Sequence, residues 1–206
     1  GLTYGGLLLS EDITPVEVMQ IMACAKEWMC RTLKAQRWFY KPVPHIYHKM
    51  PSEEDLYALF RCGAKLVKRA VSSVVENAHR LPLHKSRRYG ANRALKNHVV
   101  YEESGDLSQF WEVLDERLRT RHNNRPVHSL AEMERLKRIF PEYIRLFVAK
   151  IDGEVVAGVL VYEMERIAHA QYIASTELGR SVRALDGLIK HLLENVFMHK
   201  CYFDFG

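Results

Sequence analysis

No apolar run in the 206 residues approaches the ~18–20 needed for a membrane-spanning helix. Cysteine is scarce, with four residues at 24, 30, 62 and 201 and no CxxC spacing. That excludes a dense disulfide framework and fits a reducing compartment, with the thiols as small buried hydrophobes. No GxSxG elbow, HExxH pair or Walker loop occurs, which removes the usual support for a hydrolase or a nucleotide kinase. Charge of one sign is also lacking: 30 Lys+Arg against 25 Asp+Glu leave a net +5, too mild to identify a partner. The chain opens GLTYGG, without a basic-then-apolar leader. It closes on Phe205-Gly206 within an expected strand, so both ends read as cut. A cytoplasmic location is expected.

What is present is ordinary globular material: 48% hydrophobic and 27% charged residues exclude disorder and collagen-like repeats. The run LTYGGLLL at 2–9 reads as a buried strand. Thr14, Pro15 and Glu17 mark a capped helix start, and Val18, Ile21, Met22, Ala25, Trp28, Met29 and Leu33 form its apolar face. A strand near 38–40, a helix from Ser52 to Gly63 and β-like alternation over 65–75 follow. From Val99 a second set begins with a short strand and a helix marked by Phe110, Trp111 and Leu114. A second capping box at Ser129 and Glu132 opens the next helix. Strands at 144–151 and 155–164 flank Asp152-Gly153, a hairpin signal because Gly accepts positive φ. A strand at 167–175, a helix with the stripe Leu185, Leu188, Ile189, Leu192, Leu193 and Val196, and a strand at 201–205 complete the set.

Strand, helix, strand at 2–9, 14–36 and 37–41 recurs at 167–175, 185–199 and 201–205. This repeat of pattern, without repeat of residues, suggests two α/β units in tandem with right-handed crossovers and a junction at about 76–98.

Three segments could carry chemistry. The strand–loop–helix 169–184 holds Gly179, Arg180, Ser181 and Arg183 just before a long helix. Free N–H groups and the helix dipole favour an anion there, and the two arginines could add charge-assisted bonds; a plain turn with solvated arginines is the bland alternative. The stretch 84–98 carries Lys85, Arg87, Arg88, Arg93 and Lys96 and no acid, matching the net charge of the whole chain. It suits phosphates of RNA or of a nucleotide, or else a solvated linker helix. Asp204 stands on a strand otherwise made of aromatics, and a buried acid needs a partner or a role. His45 and His48 do not form a metal site: a three-residue step places them on opposite faces of a strand, and no further ligand completes a set. No metal is expected.

The runs SRRYGANRALKN, RPVHSLAEMERLKRIFPEYIRLFVAKIDGEVVAGVLVYE, HAQYIAST and YFDFG resemble GNAT-type acetyltransferase-like proteins related to the Fem peptidoglycan-bridge aminoacyltransferases. The resemblance implies an α/β (α+β) fold, a GNAT-like mixed sheet flanked by helices, in two tandem units that are both incomplete here. Residues 1–80 would be the later part of a first domain, 81–98 a basic linker helix, and 99–206 the first two-thirds of a second domain. The implied activity moves an acyl or aminoacyl group from acyl-CoA or aminoacyl-tRNA to a small-molecule or peptide amine. The central strand would offer Gln171, Ile173 and Ser175 to the donor's pantetheine arm, and Gly179, Arg180, Ser181 and Arg183 would hold its pyrophosphate. The Gln/Arg-x-x-Gly-x-Gly/Ala spacing of such loops is absent, which leaves aminoacyl-tRNA beside acyl-CoA, with 84–98 to meet the tRNA. His169, Tyr172 and Asp204 are the candidates for acid–base work. Two alternatives are a non-catalytic GNAT-fold binding module with a degenerate donor loop, and an RNA-binding protein using 84–98.

Overall fold

A computed structural model describes residues 4–206 and divides the chain between Val71 and Ser72. The first unit holds two helices, α1 (Pro15–Arg31) and α2 (Glu54–Arg61). The capping box at the start of α1 forms as its sequence implies: Thr14 accepts from the Glu17 amide, and the Glu17 carboxylate accepts from the Thr14 amide. Such a cap contributes about 1 kcal/mol. Of the apolar stripe on α1, only Val18 and Met22 are buried, with Ala58 of α2. Ile21 and Trp28 are exposed, because the eight residues of α2 are too short to cover the face of a seventeen-residue helix.

The strand expected over 2–9 begins in residues 1–3, which lie outside the described residues. Residues 4–9 and 38–41 form no strand. They touch through a bond from the Gly5 amide to the Lys41 carbonyl and one from the Leu7 amide to the Tyr40 hydroxyl. Gly6 lies against the backbone of Pro42 and Val43, and the prolines at 42 and 44 remove the donors a ladder needs. Of the alternating stretch 65–75 only its end enters a strand, β1 (Val74–Glu76). Among the described residues of the first unit there is thus no sheet to match the pattern repeat. The cysteines also depart from expectation: all four are exposed, since Cys24 and Cys30 lie off the buried side of α1.

The second unit runs β1, α3 (Lys85–Lys96), β2 (Val100–Ser104), α4 (Ser108–His122), α5 (Leu130–Ile139), β3 (Ile144–Ile151), β4 (Glu154–Glu163), β5 (Ile167–Ser175), α6 (Glu177–Ser181), α7 (Ala184–His191) and β6 (Tyr202–Asp204). A π-helical turn over Leu192–Val196 extends α7. The strands make one sheet in the order β1-β6-β5-β4-β3-β2, with β5 and β6 parallel and every other pair antiparallel. The β3–β4 turn is Asp152-Gly153, both at positive φ, as the dipeptide implies. One core joins Ala168, Val159 and Phe203 of the sheet to Ala94 of α3 and Leu188 of α7. The other face packs Leu146 and Leu160 against Phe110 and Leu114 of α4 and Met133 of α5.

The unit starts at Ser72, so segment 72–80 and the helix expected as a linker belong to it. The Asn77 side chain donates to the carbonyls of Phe197 and Lys200, Arg80 donates to that of Leu193, and β1 pairs β6. The basic helix α3 buries its small face, Gly90, Ala91 and Ala94, against α7. Among the described residues no helix is long and apolar enough to cross a membrane.

Candidate functional site

Three features of β5 position the site: its partner, its bulge and the turn that ends it. β6 runs parallel to β5 over Ile167–His169 only, while β5 continues to Ser175. Beside the last paired position, His169 Nδ1 lies 2.9 Å from Asp204 Oδ2. Both side chains are buried, at 7% and 1% exposure. Asp204 also accepts from the Ser72 hydroxyl at 2.6 Å and from the Gly206 amide at 3.0 Å. The acid on the aromatic strand therefore has several partners, the condition for a buried carboxylate. His169 Nε2 lies 3.2 Å from Gln171 Oε1. With Nδ1–H donated to Asp204, that contact is satisfied either by imidazolium or by a Gln171 amide turned to donate.

The register of β4 against β5 slips between Leu160 and Val161, which face Tyr172 and Ala170, so Gln171 is an extra residue. In a regular strand a three-residue step would separate His169 and Tyr172 onto opposite faces. The bulge brings both to the face covered by α4 and α5. Ala168 and Ala170 pack towards α7, whereas Tyr172 and Tyr162 pack on the α4/α5 core. The Tyr162 and His169 rings are 6.3 Å apart. Tyr172 stands edge-on to Trp111 at 5.4 Å, and its hydroxyl shares a 2.7 Å hydrogen bond with His128 Nδ1. Burial, with the nearby Tyr172 adding to it, pushes the Tyr162 phenol up to about 12. It is a neutral hydrogen-bonding group at physiological pH.

At the end of β5 the Thr176 amide donates to the Val156 carbonyl, and the Thr176 hydroxyl caps α6 by accepting from the Gly179 amide. Gly179 is obligatory here: a Cβ would stand 2.1 Å from the Val156 carbonyl oxygen. Arg180 donates to the Ser175 carbonyl at 3.0 Å, and the Ser181 hydroxyl turns back to the Leu178 carbonyl. Arg183, at φ 64, immediately precedes α7 and sits 3.5 Å from Asp186. Asp186, in the first turn of α7, also pairs with Arg87 of α3 at 2.8 Å. A carboxylate of the chain thus occupies the positive end of α7.

The structure pairs His169 with Asp204, with Gln171 beside them, and places Tyr172 on the same face of β5 but bonded to His128. Ile173 faces the α7 core and Ser175 is buried. Gly179, Arg180, Ser181 and Arg183 follow along the chain, with Arg180 bonded back to Ser175 of β5, Ser181 to Leu178 and Arg183 beside Asp186. Lys85, Arg88, Arg93 and Lys96 lie exposed on α3, and Arg87 is bound to Asp186. Sequence reasoning missed His128, Ser72 and Asp186. Only Asp186, an acid in the first turn of a helix, carried a local signal. Among the described residues no three metal-ligating side chains cluster.

None of the curated proteins compared matches the chain. Among solved structures, FemX superposes with a TM-score of 0.65 at 12% identity, over 94% of this chain and 69% of FemX. At that identity the likeness shows the fold. The structure of L-PGS from Bacillus licheniformis gives 0.48 at 15% identity over 66% of this chain and 45% of its own. A GCN5-related N-acetyltransferase from Kribbella flavida gives 0.44 at 14%, over 93% and 66%. Residues 79–206, more than half of the chain, match the model of the acetyltransferase (GNAT) domain. With a mixed sheet whose central strand parts from a short parallel neighbour, flanked by helices on both faces, the chain belongs to the GNAT acetyltransferase family.

Proposed function

We propose that the second unit transfers an acyl or aminoacyl group from a thioester or aminoacyl-tRNA donor to an amine. The observation that carries this reading is the parting of β5 from β6 beside the His169–Asp204 pair. Over 170–175 β5 presents an edge that β6 does not occupy. Six extended residues span roughly 20 Å, room for an amide-bearing arm to bind as a strand would. The donor's carbonyl would then lie near His169, where Gln171 and Ser175 add polar contacts and Ile173 an apolar one.

Transfer requires the amine nitrogen to bond to the acyl carbon, the C–S or C–O bond of the donor to break, and the amine to lose a proton. His169, held by Asp204, is assigned the proton, and Tyr172, held by His128, orients the amine or protonates the leaving group. Positioning supplies most of such a rate, with acid–base help worth roughly 10²–10⁴-fold. A tRNA donor would use Lys85, Arg88, Arg93 and Lys96, the exposed cations of α3. The inward-turned Ser181 and Arg183 and the carboxylate at the start of α7 favour a second reading, a binding module whose donor loop no longer holds a pyrophosphate.

The test compares thermal stabilisation by acetyl-CoA, CoA and aminoacyl-tRNA with single-turnover transfer to a peptide amine. At ~100 times its dissociation constant a ligand adds roughly 2.7 kcal/mol. His169→Gln should lower the transfer rate at least ~100-fold while keeping the stabilisation. Donor binding without transfer supports the binding module, and no stabilisation by any donor removes both readings.

A further inference from the structure

The two carboxylate oxygens of the buried Asp204 face different partners. Oδ2 meets His169 Nδ1, while Oδ1 accepts from the Ser72 hydroxyl at 2.6 Å and from the Gly206 amide at 3.0 Å. The bond from Ser72 has the length of a charge-assisted O–H···O⁻ contact. It spans 132 positions of the chain, and the antiparallel register of β1 and β6 explains how. Val74 stands opposite Asp204 and Val75 opposite Phe203. Carried two residues back along β1, the same register sets Ser72 opposite Gly206. The bond from the Phe205 amide to the Ser73 carbonyl, 2.9 Å, continues the ladder in that direction. Gly206 lies two residues beyond Asp204 and so on its side of the strand. Ser72 therefore reaches Asp204 as a diagonal cross-strand neighbour. Beyond the other end of β1, the Asn77 amide donates to the Cys201 carbonyl, and its side chain to those of Phe197 and Lys200. Ser72 is thus delivered by a strand tied down at both ends. The residues that match the acetyltransferase domain begin at 79, so this contact comes from outside the matched segment.

A carboxylate turns broadly about its Cβ–Cγ bond and can offer either oxygen to an imidazole. Two donors fixed on Oδ1 remove that freedom and leave Oδ2 for His169. The partner of one ring nitrogen sets both the orientation of the ring and the nitrogen that carries the proton. We infer that Ser72 is a positioning residue: through Asp204 its hydroxyl holds the His169 imidazole, with Nδ1–H donated to Oδ2 and Nε2 turned toward Gln171. As a role in transfer, this rests on the assignment of the proton to His169. As a constraint on the ring, it stands without that assignment. The neighbouring Ser73 contributes its backbone carbonyl to the ladder, so of the two serines it is the Ser72 side chain that meets the carboxylate.

The experiment takes the full chain with isotope-labelled histidine and follows the His169 Nδ1–H signal by NMR, identified by its loss in His169→Gln. Single-turnover transfer to a peptide amine, from acetyl-CoA and from aminoacyl-tRNA, is measured beside it. In the parent, Nδ1–H should be protected from exchange with water. Ser72→Ala should speed that exchange and lower the transfer rate, each about ten-fold, with stabilisation by the donor unchanged. Ser72→Thr keeps the hydroxyl and should restore both. Ser73→Ala should alter neither, because the bond to the Phe205 amide uses the backbone carbonyl and survives the substitution. Nδ1–H exchange in Ser72→Ala equal to that of the parent would overturn the inference. So would a loss of protection that Ser73→Ala reproduces, or one that Ser72→Thr does not repair. No transfer in any variant, with Nδ1–H still governed by Ser72, would sink the proposed function and leave the constraint on the ring standing.

Discussion

Gly179 ties the end of β5 to β4 through an absent side chain. Its backbone lies so near the Val156 carbonyl that a methyl group would overlap the oxygen, and that neighbour is backbone, which cannot rotate away. Gly179→Ala should therefore push α6 off β4, break the Thr176 cap and displace Arg180 from the Ser175 carbonyl. Overpacking of this kind costs about 1–3 kcal/mol. Urea denaturation should show the loss; a variant as stable as the parent would show that α6 is not anchored there. At the same scale Asp204→Asn keeps the shape but removes the charge that holds His169 and Ser72. It should destabilise the unit by about 1–3 kcal/mol, because buried partners lose a charge-assisted bond.

Among the elements, a charge network crosses the sheet. Arg145 of β3 bonds to Glu103 of β2 and Glu163 of β4, and Lys200 pairs with Glu163. The hydrogen bond from Arg145 holds the Glu103 carboxyl below its ordinary value. Burial opposes ionisation of Glu163, yet the bonds from Lys200 and Arg145 outweigh it and lower that carboxyl too. A carboxyl lowered by folding stabilises the folded state above its unfolded value of about 4.3, and that contribution is lost as pH falls through the lower, folded value. Unfolding free energy should thus decline below about pH 4.3, and Arg145→Met should flatten that decline. Urea titrations from acid to neutral pH test this, and an unchanged slope in the variant would remove the network from the acid response. Such pairings join distant residues, and this explains what the sequence could and could not reveal. Local signals were legible: the capping boxes at Thr14 and Ser129, the Asp152-Gly153 turn, the stripe of α7, and Asp204 as an acid in need of a partner. The bulge at Gln171 was not, because a two-residue period carries no trace of an extra residue, so the shared face of His169 and Tyr172 stayed hidden. His128 meets Tyr172 from a loop 44 residues away. The strands expected at 2–9 and 37–41 had the right composition, but a strand exists only through a partner.

For the whole molecule, the two units differ in how much core each owns. The second unit fills both faces of its sheet from residues after Ser72: Phe110, Leu146 and Met133 on one side, Phe197, Leu188 and Phe203 on the other, all nearly or fully buried. In the first unit the buried apolar core is Val18, Met22 and Ala58, while Phe60 is 76% and Phe39 68% exposed. A segment of this size with so small a core lacks the burial that offsets chain entropy. The fragment 72–206 should therefore melt cooperatively on its own, within about 5 °C of the transition that the sheet shows in the full chain, a shift corresponding to roughly 1 kcal/mol in a domain of this size. The fragment 1–71 should give no cooperative transition. Circular dichroism of the two fragments decides the matter, with limited proteolysis expected to cut first between Gly63 and Ser73, where the described backbone has no helix or strand. A fragment 72–206 that stays unfolded would mean that the sheet depends on residues of the first unit, and the site on β5 would then have to be studied in the full chain alone.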